Sequence, residues 1–258
     1  MTAPRRSGIV EADCASIMPE KLTLNASVLY ADVDRTEVLL LRGVFKFLQE
    51  AAITHANQFD LGSRAMATRG ESWVLNRMAV AVHRYPRYEE TMRIETWSRG
   101  IKGFKGYREF RVFDAQGAPL FSGSSLWLYV NMRTKSIIRV PAELAAEFPK
   151  RDDGAFFPEL ESLEFAPPAA DARRVPIAIR YSDVDVNAHV NNTAYLDFLQ
   201  EALARAGLSP RPQSIRIKYA RAIPAEAETV RVAIEPRGTG AAFAIEDHDT
   251  IFAIGEVD

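Results

Sequence analysis

Asp185, Asn187 and His189 stand at alternate positions in the run DVNAHVNN, which continues at once into Asn191 and Asn192. An extended backbone points alternate side chains to one side, so the spacing predicts that the first three residues share a pocket. An aspartate can act as general base or nucleophile, and a histidine exchanges a proton near neutral pH. An asparagine amide can orient water or hold a carbonyl oxygen. A helix beginning just after these residues would add backbone N–H groups and the positive end of its dipole, both of which stabilise a developing oxyanion. The set suits transfer of an acyl group to water. The plainer alternative is that the Asx residues form a turn and cap, with His189 structural.

The elements that must position these residues occur twice. Residues 30–51 read YADVDRTEVLLLRGVFKFLQEA and residues 181–202 read YSDVDVNAHVNNTAYLDFLQEA, aligned without a gap at a constant offset of 151. The shared DVD and FLQEA give each copy an extended entry, a polar turn and a helix. What differs is the chemistry. Thr36, Val38, Leu40 and Leu41 occupy the positions matching Asn187, His189, Asn191 and Asn192.

In the second copy either Asn191 or Asn192 can cap the helix, Tyr195, Leu199, Ala202 and Leu203 recur at helical spacing, and Gly207 is placed to end it. Strand-like runs follow each helix, at 73–83, 92–99, 105–114 and 121–132, then at 214–221, 229–235, 242–248 and 250–257. A long helix followed by a meander of strands, repeated, predicts an α+β fold and excludes alternating βαβ units. The stretch 141–172 is rich in Pro, Ala and acidic residues, ends in FAPPAAD, and is expected to be a connector with one short helix. The expected division is a disordered tail at 1–20, a first domain at 21–140, this linker, and a second domain at 173–258.

A formal net charge of -2, with 26% of residues charged, argues against nucleic-acid binding. The single cysteine, Cys14, excludes an intrachain disulfide and a cysteine-rich zinc site. No leader-like or membrane-spanning apolar run stands out, so a cytoplasmic protein without membrane attachment is expected. His55, His83 and His248 lack ligand-like spacing; they are expected to be structural, with no metal and no cofactor. GIKGFKG at 100–106 is expected to be a hairpin turn. Trp73, Trp97 and Trp127 fall in strands, where core packing is the expected role. Two basic stretches, Arg99 to Arg111 and Arg211 to Arg221, could dock an acidic partner or form solvated strand faces.

RYSDVDVNAHVNNTAYLDFLQEA resembles the D-x-N-x-H-V-N-N-x-x-Y signature of hotdog-fold acyl thioesterases. FLQEAAITH at 47–55, WVLNRM at 73–78, RYP at 84–86 and LWLYVN at 126–131 extend the likeness, in order, to the plant and bacterial acyl-(acyl carrier protein) thioesterases. The resemblance implies two tandem hotdog domains, each a long central helix wrapped by an antiparallel sheet. It implies catalysis by Asp185, Asn187 and His189 in the second domain and an acyl-chain pocket mainly in the first. Substrate-binding roles would then fall to Asn191, Asn192, Leu41, Phe45 and Leu48, with core packing the equal alternative for the apolar three. The implied partner is an acyl carrier protein with a phosphopantetheine-linked fatty acyl chain, met by a monomer or a homodimer. One departure stands out: where the family pattern reads Y-R-R-E-C, residues 219–223 read YARAI, with Ala222 in place of the acid. The expected function is hydrolysis of fatty acyl thioesters of the carrier protein. The alternatives are an acyl-CoA thioesterase or, because Ala222 replaces the acid, a non-catalytic module that binds or senses acyl thioesters. Hotdog dehydration or hydration fits the motif poorly.

Overall fold

The computed structural model describes residues 20–258; Cys14 and nearly all of the expected tail lie outside the described residues. The first half runs β1 (Lys21–Ser27), a 3-10 turn (Tyr30–Asp32), α1 (Leu41–Asn57) and a short α2 (Ser63–Thr68). It continues through β2 (Glu71–Val82), β3 (Thr91–Lys102), β4 (Lys105–Asp114) and β5 (Pro119–Asn131). After β6 (Ser136–Ile137) and α3 (Ala142–Glu147), the second half repeats the plan. It has β7 (Arg173–Ala178), a 3-10 turn (Tyr181–Asp183), α4 (Ala194–Arg205), β8 (Ser214–Tyr219), β9 (Thr229–Arg237), β10 (Gly240–Asp247) and β11 (Thr250–Val257).

All pairings are antiparallel, and the strands form one continuous sheet in the order β1-β3-β4-β5-β2-β8-β11-β10-β9-β7, with β6 added to β5. Read outward from the β2–β8 seam, the two halves give the same series of equivalent strands. The seam is therefore the axis of a pseudo-twofold, with Arg77 opposite Lys218 and Ala81 opposite Ser214. Two α+β hotdog units share the sheet, each with its long helix against the inner face.

The helices form because their apolar residues recur every three or four positions. On α1, Leu41, Val44, Phe45, Leu48, Ala51 and Ala52 are buried; on α4, Tyr195, Phe198, Leu199, Ala202 and Leu203 are. Each fully buried Leu or Phe contributes roughly 1.5–3 kcal/mol relative to exposure, and the two stripes meet in one core. Gly207, at φ 78°, ends α4, and the Leu208 N–H closes onto the Leu203 carbonyl at 2.9 Å. The GIKGFKG segment is the β3–β4 hairpin, with Gly103 at φ 64°.

The connector beyond α3 has no helix or strand, yet it is packed. Phe157, Leu160 and Leu163 cover Ala79 and Leu126 on the outer face of the sheet, and Phe165 covers Ala233 and Ala244. Arg77 holds this strap by donating to the Leu160 carbonyl at 3.3 Å and to Glu164 at 3.1 Å. His55, in the last turn of α1, is fully buried, with its Nδ1 3.0 Å from a guanidinium nitrogen of Arg108. Burial pushes that guanidinium down to about 9. No described helix is long and apolar enough to cross a membrane.

Candidate active site at the entry to the second long helix

The residues singled out by type and spacing lie in the loop between the second 3-10 turn and α4. The backbone there is a tight turn, which corrects the expectation of an extended run. The Asp185 N–H donates to the His189 carbonyl at 2.9 Å, and the Ala188 N–H donates to the Asp185 carbonyl at 3.0 Å. Ala188 has a φ of 57°. The physical reason is the Asp185 side chain, whose Oδ1 accepts the Asn187 N–H at 2.8 Å and closes an Asx turn that reverses the chain. Alternation therefore does not bring the three side chains together; the turn places the backbones of Asp185 and His189 side by side.

The first half contains the same turn, built from equivalent residues. Asp34 accepts the Thr36 N–H at 2.8 Å, the Asp34 N–H donates to the Val38 carbonyl at 2.9 Å, and Glu37 has a φ of 63°. The turn thus explains why both copies keep the aspartate, while function must come from what differs around it. In the first half, burial raises the Asp34 carboxyl, but bonds from Thr36, Arg211 and the Val38 N–H outweigh it and hold the group at about 2. Arg211 from the second half donates to both Asp34 and Thr36 and closes that turn. Around Asp185 there is instead the Asn191 amide, which donates to Oδ2 at 3.3 Å.

Asn187 and His189 are exposed, so both are accessible to a substrate arriving from solvent. Asn191 also caps the approach to α4: its Oδ1 accepts the Thr193 N–H at 2.9 Å and the Thr193 hydroxyl at 2.7 Å. The loop is anchored by Asp183, fully buried and paired with Arg180 at 2.8 Å and Arg42 at 3.5 Å.

Asn192 opens onto an apolar cleft of about 250 Å³, mouth included, between α1 and the sheet. Phe45, Leu75, Met78, Phe110 and Trp127 supply its apolar wall, and Gln49, Thr193 and Tyr219 line it too. Phe45 is thus a cleft residue, whereas Leu41 and Leu48 are fully buried in the core and do not line it. Trp127 is half-buried, packs against the core as expected and also forms a wall of the cleft, while Trp97 is buried and Trp73 packs edge-on to Tyr129.

The sequence shows Tyr195 only as part of the helix stripe and Tyr219 only as a strand residue, because a buried Tyr there looks like core. Tyr195 donates to the Arg221 carbonyl at 3.3 Å and accepts the Ile223 N–H at 3.0 Å. Tyr219 donates to the Asn192 carbonyl at 3.2 Å. Burial raises both hydroxyls above the usual tyrosine range, and the charge on Asp185 raises Tyr195 further. Both therefore stay protonated donors at neutral pH, fixing the loop after β8 and the start of α4.

That loop carries Ala222, which is exposed, and Pro224, which pairs with His189 in an isolated β-bridge. An acid at Ala222 would stand next to the His189 turn. Among the described residues, neither Glu226 nor Glu228 makes a side-chain hydrogen bond or ion pair with Asp185 or His189. The two basic stretches are largely occupied within the fold: Arg99 pairs with Glu109, Lys105 with Glu161, Arg216 with Glu256 and Lys218 with Glu164. Arg108 faces His55, and Arg111 stacks over Trp97. Arg221, beside Ala222, is exposed and forms no ion pair among the described residues. No cluster able to hold a metal ion occurs among the described residues.

A helix wrapped by an antiparallel sheet, twice over and joined at one seam, defines a double-hotdog protein, and solved structures share that fold. An acyl-ACP thioesterase from Bacteroides thetaiotaomicron superposes with a TM-score of 0.81 at 16% identity, covering 92% of this chain and 97% of that one. The 12:0-ACP thioesterase from Umbellularia californica gives 0.81 at 22% identity, covering 94% and 98%. The chain belongs to the acyl-ACP thioesterase family: the family's N-terminal domain matches residues 19–148 and its C-terminal domain residues 168–253. Among curated relatives, an acyl-(acyl-carrier-protein) hydrolase of Cuphea viscosissima is 27% identical over 236 residues, 84% of this chain and 56% of its own length. A dodecanoyl-(acyl-carrier-protein) hydrolase of Cinnamomum camphora is 32% identical over 172 residues, 62% of this chain and 45% of its own. The chain spans about half the length of the curated relatives it matches.

Proposed function

We propose that the protein hydrolyses fatty acyl thioesters of acyl carrier protein, releasing a free fatty acid and the carrier's phosphopantetheine thiol. The observation that carries this reading is the chain of contacts from Asp185 through Asn191 to Asn192, which joins an exposed Asp–Asn–His turn to an apolar cleft. The cleft takes the start of the acyl chain, and the turn receives the thioester at its mouth. The exposed side of the turn is open to the phosphopantetheine arm, and Arg221 offers the acidic carrier a positive charge close by.

Hydrolysis adds water across the C–S bond: one proton leaves the attacking water and one reaches the departing sulfur. Asp185 serves as the base or nucleophile through Oδ2, since Oδ1 is committed to the turn. His189 handles the proton for the sulfur, and Asn187 orients the attacking group. The first half keeps the turn but has Thr36 and Val38 in place of Asn187 and His189, and Arg211 closes it. It serves as the acyl-chain half.

The test compares turnover of one saturated chain carried on acyl carrier protein and on CoA. Faster turnover on the carrier protein supports the proposal. Preference for CoA would make the protein an acyl-CoA thioesterase, and binding without thiol release would make it a sensing module.

A further inference from the structure

The pseudo-twofold relates Gln49 on α1 to Gln200 on α4, both within the repeated FLQEA and separated by the same offset of 151. In the first half, Gln200 reaches across from α4 to the start of α1, where its Oε1 accepts the Leu41 N–H at 3.0 Å. Its amide nitrogen is held by the Pro210 carbonyl at 2.9 Å. The residue equivalent to Leu41 is Asn192, and the pseudo-twofold puts Gln49 across from it; both line the apolar cleft. The second bond is absent. Among the described residues the Asn192 N–H has no acceptor, and the Gln49 side chain makes no hydrogen bond. One half satisfies this pair of groups internally, while the other leaves both lining a cleft that Asn192, through its neighbour Asn191, connects to Asp185.

We infer that the Gln49 amide binds the carbonyl oxygen of the thioester. The Gln200 oxygen marks, in the first half, where an acceptor sits above the first N–H of the helix. In the second half the substrate oxygen takes that place, receiving the Asn192 N–H and, from the other side, the Gln49 NH₂. Charge develops on this oxygen as the tetrahedral adduct forms, so donors already aimed at it favour the transition state over the ground state. The placement also explains why one hydrolytic site needs both halves: one donor lies on α1 and the other at the start of α4. This inference deepens the thioesterase reading and rests on it.

The test uses Gln49→Met, which keeps the length but removes the donor, beside Gln200→Met and His189→Ala, with the best acyl-ACP substrate of the wild type. Gln49→Met is expected to lower kcat by about 10² to 10³-fold, the usual effect of losing one oxyanion donor, with Tm nearly unchanged and KM little altered. Gln200→Met is expected to do the reverse, lowering Tm while kcat stays close to wild type. Wild-type kcat in Gln49→Met, alongside a dead His189→Ala, would overturn the inference and leave the thioesterase reading standing. No turnover by the wild type on any acyl thioester would overturn both.

Discussion

Asp185 holds the Asn187 N–H with one carboxylate oxygen at 2.8 Å and meets the Asn191 amide with the other at 3.3 Å. The residue is thus the lock of a turn and, in the proposed mechanism, also the base or nucleophile. Asparagine can form the same Asx turn without a charge, so substitution separates the two roles. Asp185→Asn is expected to retain stability and lose turnover, whereas Asp185→Ala should lose turnover and about 1 kcal/mol of stability with the turn bond. Urea unfolding beside steady-state assays checks this. Substantial turnover in Asp185→Asn would show that the aspartate serves the turn alone.

Ala222 is exposed, two residues before the Pro224 that bridges to His189. An acid there would sit beside the histidine and could share in activating water. Ala222→Glu is expected to raise kcat by roughly tenfold, less than the roughly 10² to 10⁴-fold of an optimally positioned acid or base. An unchanged or lower kcat, with an unchanged Tm, would indicate that this chain activates water without help from that position.

The cleft is tight for a fatty chain: its volume of about 250 Å³ includes the open solvent at its mouth, so the enclosed part holds little. Phe45 and Trp127 restrict it. Replacing either with Ala is expected to shift the preferred saturated chain to a longer one, because each methylene admitted to an apolar pocket is worth roughly 1–3 kcal/mol in discrimination. Relative kcat/KM across a chain-length series reads this directly. The same change in Leu41 should reduce stability without a matching shift, since that side chain is buried away from the cleft.

Asp34 titrates at about 2 in the folded protein, below its ordinary 3.8. A depressed carboxylate stabilises the fold above its unfolded pKa, and that contribution is lost as pH falls through the folded one. Wild type should therefore exceed Asp34→Asn in stability at pH 6, and the gap should narrow between about pH 4 and pH 2. Chemical denaturation at a series of pH values would show the convergence. A constant gap would remove the Arg211–Asp34 contact as an acid-sensitive clasp between the halves.

Much of the architecture was legible because the repeat carries it: Tyr30 to Ala51 and Tyr181 to Ala202 fold into the same succession of 3-10 turn, Asx turn and helix. The central strands were legible from their apolar runs. The edge strands β1 and β7 were not, because their partly exposed residues depend on pairing with β3 and β9 rather than on local pattern. The chemistry of 185–189 was legible in residue type but misjudged in shape. Alternation at Asp185, Asn187 and His189 mimics a strand, and only the side-chain bond to the Asn187 N–H reveals the reversal. Gln49 was hidden because the same FLQEA occurs in both copies. Its meaning lies in the bond that Gln200 makes and Gln49 does not.

The central claim of the proposal is that the turn ending in His189 and the cleft lined by Asn192 together hydrolyse fatty acyl thioesters. The most direct test measures thiol release from a saturated acyl-ACP series by the wild type and by His189→Ala, with Tm recorded for both. The account predicts wild-type turnover that depends on chain length and falls by about 10² to 10⁴-fold in His189→Ala at unchanged Tm. Equal turnover by the two proteins would contradict it.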